Sequence, residues 1–386
     1  MLLIKNAQVY SPRPMGKKDI LTGGSTILSI ADKIDIPSGE DVEIIEAKDL
    51  IVVPGLIDNH VHIAGAGGEG GPATRTPELK LSDMLSAGVT TVVGCLGTDG
   101  LTRSVESVLM KAKSLRHDGA SAWIWTGAYQ VPTPTITGDA GRDIALIEEI
   151  IGIGELALSD HRSSCPTTEE LIRITSLARV GGMLGKKAGL VNIHLGDAKN
   201  PFSPIDEAVK HSELKYTQFL PTHCNRNSYI FEDSKVYGMK GYVDLTTSSW
   251  PYFMDEEIKP STALRLLLEA GVPADHITFS SDSCGSLPGF DASGQLVKLE
   301  MGLPSSNIRE LADAVLIEKI PVETALQVLT SNVAGILKLR YKGIISRGMD
   351  ADLLFLDRDM KIVHLIAMGK WAVKSGLNIL KGAYEN

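Results

Sequence analysis

The chain has 386 residues, 43% of them hydrophobic, and a formal net charge of −9, with its Lys and Arg dispersed. That is enough apolar material for a large core, and the lack of a basic patch argues against a nucleic-acid partner. No apolar run approaches the roughly 18 residues of a membrane span, the start MLLIKNAQVYS lacks a signal-peptide layout, and Cys95, Cys165, Cys224 and Cys284 form no CxxC pair, so a cytoplasmic chain with reduced thiols and no membrane partner is expected.

Residues 1 to about 53 read as short strands, LLIKNAQVY, STILSIAD and VEIIEA, broken at Ser11-Pro12 and Gly23-Gly24. After Pro54 the pattern changes. The apolar runs GLIDNHVH, VTTVVGCL (89–96), AWIWTGAY (122–129), LIEEIIGIGE (146–155), LVNIHL (190–195), QFLPTH (218–223), GYVDLTT (241–247) and ITFSSD (277–282) alternate with helical spacing at 101–118, 167–180, 203–213, 261–270 and 307–330. Such alternation predicts βα units around a parallel sheet, and eight strands are the number a closed barrel needs. From about 343, DADLLFLD, KIVHLIAMG and KWAVKSG return to strands. The expected fold is therefore α/β: a (β/α)8 TIM-like barrel over 54–342, with 1–53 and 343–386 paired into one small β domain beside it.

Barrel enzymes carry their chemistry at strand carboxyl ends. His60 and His62 end the first barrel strand, Glu155 the fourth, His194 lies near the end of the fifth, His223 ends the sixth and Asp282 the eighth. Two imidazoles two residues apart on a strand share a face. Four imidazoles and two carboxylates suit one or two zinc ions or a similar divalent metal. Taken singly, each residue has a plainer role: the HxH pair is a short motif, His194 can be a satisfied core histidine, and Asp282 can cap a turn. Glu155 inside IIGIGELAL is the sharpest case, because an unpartnered buried carboxylate costs several kcal/mol or more. His161 in SDHRS stays ambiguous, and Cys224, directly after His223, is expected to turn away from the metals.

GLIDNHVH, the dispersed His, His and Asp, and GMDADLLFLD resemble the amidohydrolase superfamily. Within it, GGEGGPATRTPE, GVTTVVGCLGTDG, TGAY, SDHRSS, PTHCNRN and SSDSCGSLP resemble the isoaspartyl (β-aspartyl) dipeptidases, in order and through essentially the whole chain. The resemblance implies two zinc ions at the barrel mouth, a β-sandwich built from both termini, and a homo-oligomer. It assigns His60, His62 and Asp282 to one ion and His194 and His223 to the other, with a bridging ligand and a metal-bridging hydroxide between them. The best-known members bridge with a carbamylated lysine, whereas this chain holds Glu155 at that position. Both groups offer one negative charge on two oxygens. The glutamate is shorter, and Gly152-Ile153-Gly154 would let its backbone come closer to the metals.

The implied reaction is hydrolysis of an isoaspartyl dipeptide. Asp282 would take the proton of the attacking water and pass it to the leaving amine. Tyr129 would polarise the scissile carbonyl; its plainer role is packing under a loop. Glu69 would pair with the substrate ammonium, Arg162 and Arg226 with its carboxylates, while Gly67, Thr98 and Ser286 add hydrogen bonds. The glycine-rich segment 63–78 reads as a mobile lid. Two alternatives remain: an amidohydrolase acting on cyclic amides or N-acyl amino acids, and a non-catalytic barrel scaffold.

Overall fold

The computed structural model describes residues 1–36, 41–291, 293 and 295–385. Strands β1 (Leu2–Tyr10), β2 (Pro14–Gly23), β3 (Thr26–Ala31), β4 (Glu43–Glu46) and β5 (Ile51–Pro54) come first. The barrel strands follow: β6 (Leu56–Val61), β7 (Val89–Gly94), β8 (Ser121–Thr126), β9 (Ile150–Ala157), β10 (Leu190–His194), β11 (Phe219–Thr222), β12 (Val243–Thr246) and β13 (Ile277–Ser280). A hairpin, β14 (Ser286–Phe290) and β15 (Leu296–Met301), precedes the last helices. The chain closes with β16 (Leu353–Leu356), β17 (Ile362–Ala367), β18 (Lys370–Lys374) and β19 (Leu377–Asn378).

Strands from both ends share one sheet, in the order β19-β18-β17-β16-β5-β1-β2-β3, with β4 also paired to β1. The junction is the antiparallel pair β5–β16, where Val52 stands opposite Phe355. Ile4, Val9, Ile20, Val52, Leu353 and Phe355 form a core of their own there, because alternate residues of each strand face the same side.

Strands β6 to β11 form a parallel sheet in sequence order, and β12 and β13 form a parallel pair. Backbone bonds join the two pieces into a ring. Cys224 N–H donates to Asp244 O at 3.1 Å, linking β11 to β12; Asp282 N–H donates to His60 O at 3.1 Å and His62 N–H to Ser283 O at 2.9 Å, linking β13 to β6. The result is a TIM-type barrel. Its interior is packed at one end by Ile57, Val93, Trp125, Ile151, Leu190 and Leu220, closed by the helix Ser331–Ile336. Above them lies a polar layer in which Asp244 accepts from Asn59 Nδ2 at 3.0 Å and Thr222 Oγ1 at 2.7 Å. Outside, helix Thr168–Gly185 is started by a Thr167–Glu170 capping box and turns Leu171, Ile174 and Ala178 to the strands.

Several boundaries differ from expectation. Residues 146–149 close a helix rather than open a strand, and β9 continues past Glu155 to Ala157. The helical stretch expected at 307–330 is two helices, Ser305–Leu316, which ends at its cap Ile317, and Val322–Gln327, which starts after Pro321. Helix Ser228–Gly238, capped by Asn227, and the β14–β15 hairpin were not foreseen; Pro288 and Gly289 interrupt the alternation that marks a strand. Among the described residues, no helix is long and apolar enough to cross a membrane.

Candidate active site

At the open end of the barrel, buried histidines surround one carboxylate. Glu155 Oε1 lies 2.7 Å from His194 Nδ1 and 3.2 Å from His223 Nε2. Its other oxygen, Oε2, lies 3.3 Å from His60 Nε2 and 3.9 Å from His62 Nε2. Asp282 Oδ1 is 2.9 Å from His62 Nε2 and 3.7 Å from His60 Nε2. The six residues expected at the strand ends therefore come together. Five of them, joined by Cys95, form two groups that share Glu155: His60, His62, Cys95 and Glu155 on one side, and Glu155, His194 and His223 on the other, each with ligand atoms within 4.8 Å of one another.

A bulge puts Glu155 there. Ile153 pairs with Val191 and Leu156 with Ile193, so Gly154 and Glu155 together face Asn192 alone. An extra residue bends the strand and re-aims its side chain. A Cβ on Gly154 would come within 2.8 Å of Asn192 Cβ, so only glycine fits this approach.

The second nitrogen of three rings is held from behind. His60 Nδ1 lies 3.0 Å from Asn192 Oδ1, His223 Nδ1 2.7 Å from Thr246 Oγ1, and His194 Nε2 3.1 Å from Asp160 Oδ2. Such partners fix the ring orientation and tautomer of a metal-binding histidine. Sequence reasoning missed Asn192, Thr246, Asp160 and Cys95. Asn192 had a signal: it lies two residues before His194 on one strand, hence on the same face.

Electrostatics agree with a cation. Burial pulls His223 down to about 4, so its ring is neutral, the form a ligand needs. Burial also opposes protonation of His60 and His62, yet Cys95 and Glu155 raise the first, and Cys95 and Asp282 the second, well above the ordinary value. The cluster is thus rich in negative charge. Glu155 Oε2 and Asp282 Oδ1 are buried and, among the described residues, make no hydrogen bond despite their close ring nitrogens. Close approach without hydrogen-bond geometry is what ligands around a shared ion show. The cluster fits a divalent metal site.

A cavity of about 860 Å³ opens above it, lined by His62, Tyr129, His194, His223 and Asp282 together with Glu69, Thr98, Arg162, Arg226 and Ser286. Gly67 does not line it; with φ 78° and Thr74 O 2.5 Å from any added Cβ, it shapes the turn that carries Glu69. Tyr129 Oη lies 2.8 Å from His194 Nδ1, and the Arg162 guanidinium covers its ring. Arg226 Nε donates to Asp197 Oδ1 at 2.8 Å, whereas Ser286 Oγ is buried without a partner among the described residues. Glu69 and Arg162, expected to meet opposite charges of a substrate, meet each other: Arg162 Nη1 donates to Glu69 Oε1 at 2.9 Å. Burial pushes the Asp160 carboxyl up, but hydrogen bonds from Arg162 and His194 outweigh it and hold the group well below the usual carboxylate range. The 63–78 segment is tied at its stem, where Thr76 Oγ1 donates to Cys284 O and Arg103 Nη2 to Ala66 O. His161 lies on the cavity wall against Phe290, and Cys224 Sγ turns to Pro221 O.

Residues 192–372 match the amidohydrolase family model. The structure superposes on the β-aspartyl dipeptidase of Fervidobacterium islandicum AW-1, determined in complex with β-Asp-Leu, with a TM-score of 0.92 and 41% identity over 98% of this chain and 97% of that one. A D-hydantoinase from a Thermus species shares the fold alone, with a TM-score of 0.70 at 15% identity over 100% and 98% of the two chains. Among curated sequences, the dihydroorotase of Streptococcus pyogenes is 27% identical over 216 residues, 50% of this chain; the match spans 47% of that protein, about half its length. Barrel, histidine and carboxylate cluster and family match together define an amidohydrolase. Within that superfamily, the chain belongs to the isoaspartyl (β-aspartyl) dipeptidases.

Proposed function

We propose that this chain hydrolyses β-aspartyl dipeptides at a two-metal site bridged by Glu155. One observation carries the reading: Arg162 and Arg226 line the cavity that contains the histidine and carboxylate cluster, together with Glu69 and the further carboxylates Asp197, Asp255, Glu256 and Glu257. An isoaspartyl dipeptide offers a match to both signs, one free ammonium and two free carboxylates. His60 and His62 with Glu155 would hold one ion, and His194 and His223 with Glu155 the other, zinc being the best match to nitrogen-rich sites of this kind. Bound there, two divalent ions would supply an acidified water and polarisation of the scissile carbonyl. Asp282 takes the water's proton and delivers it to the leaving amine. Tyr129 Oη, beside His194, steadies the developing oxyanion. Arg162 and Arg226 fix the carboxylates, Glu69 fixes the ammonium, and Thr98 and Ser286 add hydrogen bonds to the substrate.

Turnover of β-Asp-Leu with no turnover of dihydroorotate or a hydantoin supports this reading. The reverse pattern would replace it with a cyclic-amide hydrolase, and a metal-free protein with neither activity would leave only a scaffold. Reloading the metal-free chain tests the bridge: full activity should return with zinc in carbonate-free buffer, and a need for bicarbonate would remove Glu155 from that role. We further infer a division into a terminal β-sandwich domain (1–53 and 343–386) and the barrel domain (54–342), and assembly into a cytoplasmic homo-oligomer; native mass and limited proteolysis test these.

A further inference from the structure

We infer that Cys95 binds the inner ion as a thiolate, giving that ion a sulfur ligand beside His60, His62 and Glu155. The inference rests on the two-metal reading above. Cys95 directly follows β7 and is fully buried. Its Sγ lies 3.6 Å from His60 Nε2 and 4.0 Å from His62 Nε2. Nitrogen, oxygen and sulfur ligands around one tetrahedral zinc, at about 2.0–2.3 Å from it, stand about 3.3–3.8 Å apart. The other two measured edges of the group, from Glu155 Oε2 to His60 Nε2 and to His62 Nε2, are 3.3 and 3.9 Å. Independently of the sulfur, Glu155 Oε2 is buried without a hydrogen-bond partner among the described residues and belongs to the same group.

The plainer role for this thiol is a weak bond to Val61 O at 3.7 Å. That carbonyl already accepts the Cys95 backbone N–H at 3.0 Å, so the thiol adds little there. Asp282 stands outside the group of four. With sulfur as a further ligand, Asp282 is free to carry a proton instead of being a permanent ligand. A thiolate also biases the site toward zinc, cobalt or cadmium over magnesium or manganese. On metal uptake the thiol proton passes to solvent and the sulfur lone pair forms the bond to the ion, with no redox change.

The test is cobalt loading of the full metal-free chain under anaerobic conditions, read by absorption. Wild type should show a thiolate-to-cobalt charge-transfer band in the near ultraviolet beside the visible ligand-field bands. C95S and C95A should keep the ligand-field bands and lose the charge-transfer band. X-ray absorption at the zinc edge of the wild-type protein, which needs no variant, should include sulfur at about 2.3 Å. Cobalt bound with no charge-transfer band, or a band surviving in both variants, overturns the role of Cys95 and leaves the two-metal reading standing. Failure to take up cobalt or zinc overturns both.

Discussion

Arg162 reaches Glu69 with Nη1 at 2.9 Å while its Nε and Nη2 grip the two oxygens of Asp160 at 2.8 and 2.9 Å. One guanidinium thereby ties the loop after β6 to the loop after β9, and Asp160 in turn touches His194. Recognition of substrate charge and orientation of a metal-site histidine share one chain of contacts. For Arg162 and Glu69 to take a dipeptide's carboxylate and ammonium, each must exchange its present partner for the substrate. E69Q should therefore lower kcat/KM for β-Asp-Leu by about 10- to 150-fold, the worth of a charged hydrogen bond of about 1.5–3 kcal/mol. The same variant should discriminate less against an N-acetylated dipeptide. Equal losses on both substrates would remove Glu69 from ammonium binding.

Asp160 acts through His194. D160N keeps the shape but weakens the carboxylate behind the ring, and loss of such a partner typically costs about 10- to 100-fold in metal affinity. Titration with a chelator should strip one ion from the variant well before wild type. Unchanged metal retention would make Asp160 a partner of Arg162 only.

Asp282 can be tested apart from the metals. D282N should retain near-normal zinc content, because His60, His62, Cys95 and Glu155 already form a group without it. Its kcat should fall by about 10²- to 10⁴-fold, the usual contribution of a positioned proton carrier. A variant that loses zinc in proportion to activity would show Asp282 to be chiefly a ligand.

Gly154 sits where the bulge presses on Asn192. G154A must displace the strand or Asn192, and with it either Glu155 or His60. Zinc per chain should drop while the far-ultraviolet spectrum stays unchanged. Full metal content in G154A would mean that the bulge is not what places Glu155.

Glu257 on the cavity wall is pushed up to about 7: burial raises it, and the hydrogen bond from Ser249 with the nearby charge of Arg226 only partly offsets that. A carboxyl raised in the folded state favours folding below its unfolded value, near 4.5, and that advantage is lost as pH climbs toward 7. E257Q, neutral throughout, should therefore gain Tm relative to wild type between pH 5 and about 7.5. A constant difference across that range would place the Glu257 pKa near the ordinary value.

Much of this molecule is legible in the order of its residues. The alternation of apolar runs and amphipathic stretches after Pro54 marked eight barrel strands, and the strand-like ends foretold the sheet in which β5 meets β16. Six ligand-type residues near five strand ends come together because strand parity and strand polarity are local properties, readable from spacing. Partners were not readable in this way. Cys95 reads as an ordinary thiol, and only the pairing of β6 with β7 sets it beside His60. Glu69 and Arg162 looked like two free binding groups, yet lie 93 positions apart and pair. The bulge at Gly154–Glu155 exists only against β10. Each of these depends on which strand ends and loops become neighbours when the barrel closes, and that is decided by tertiary packing, not by the period of any one segment.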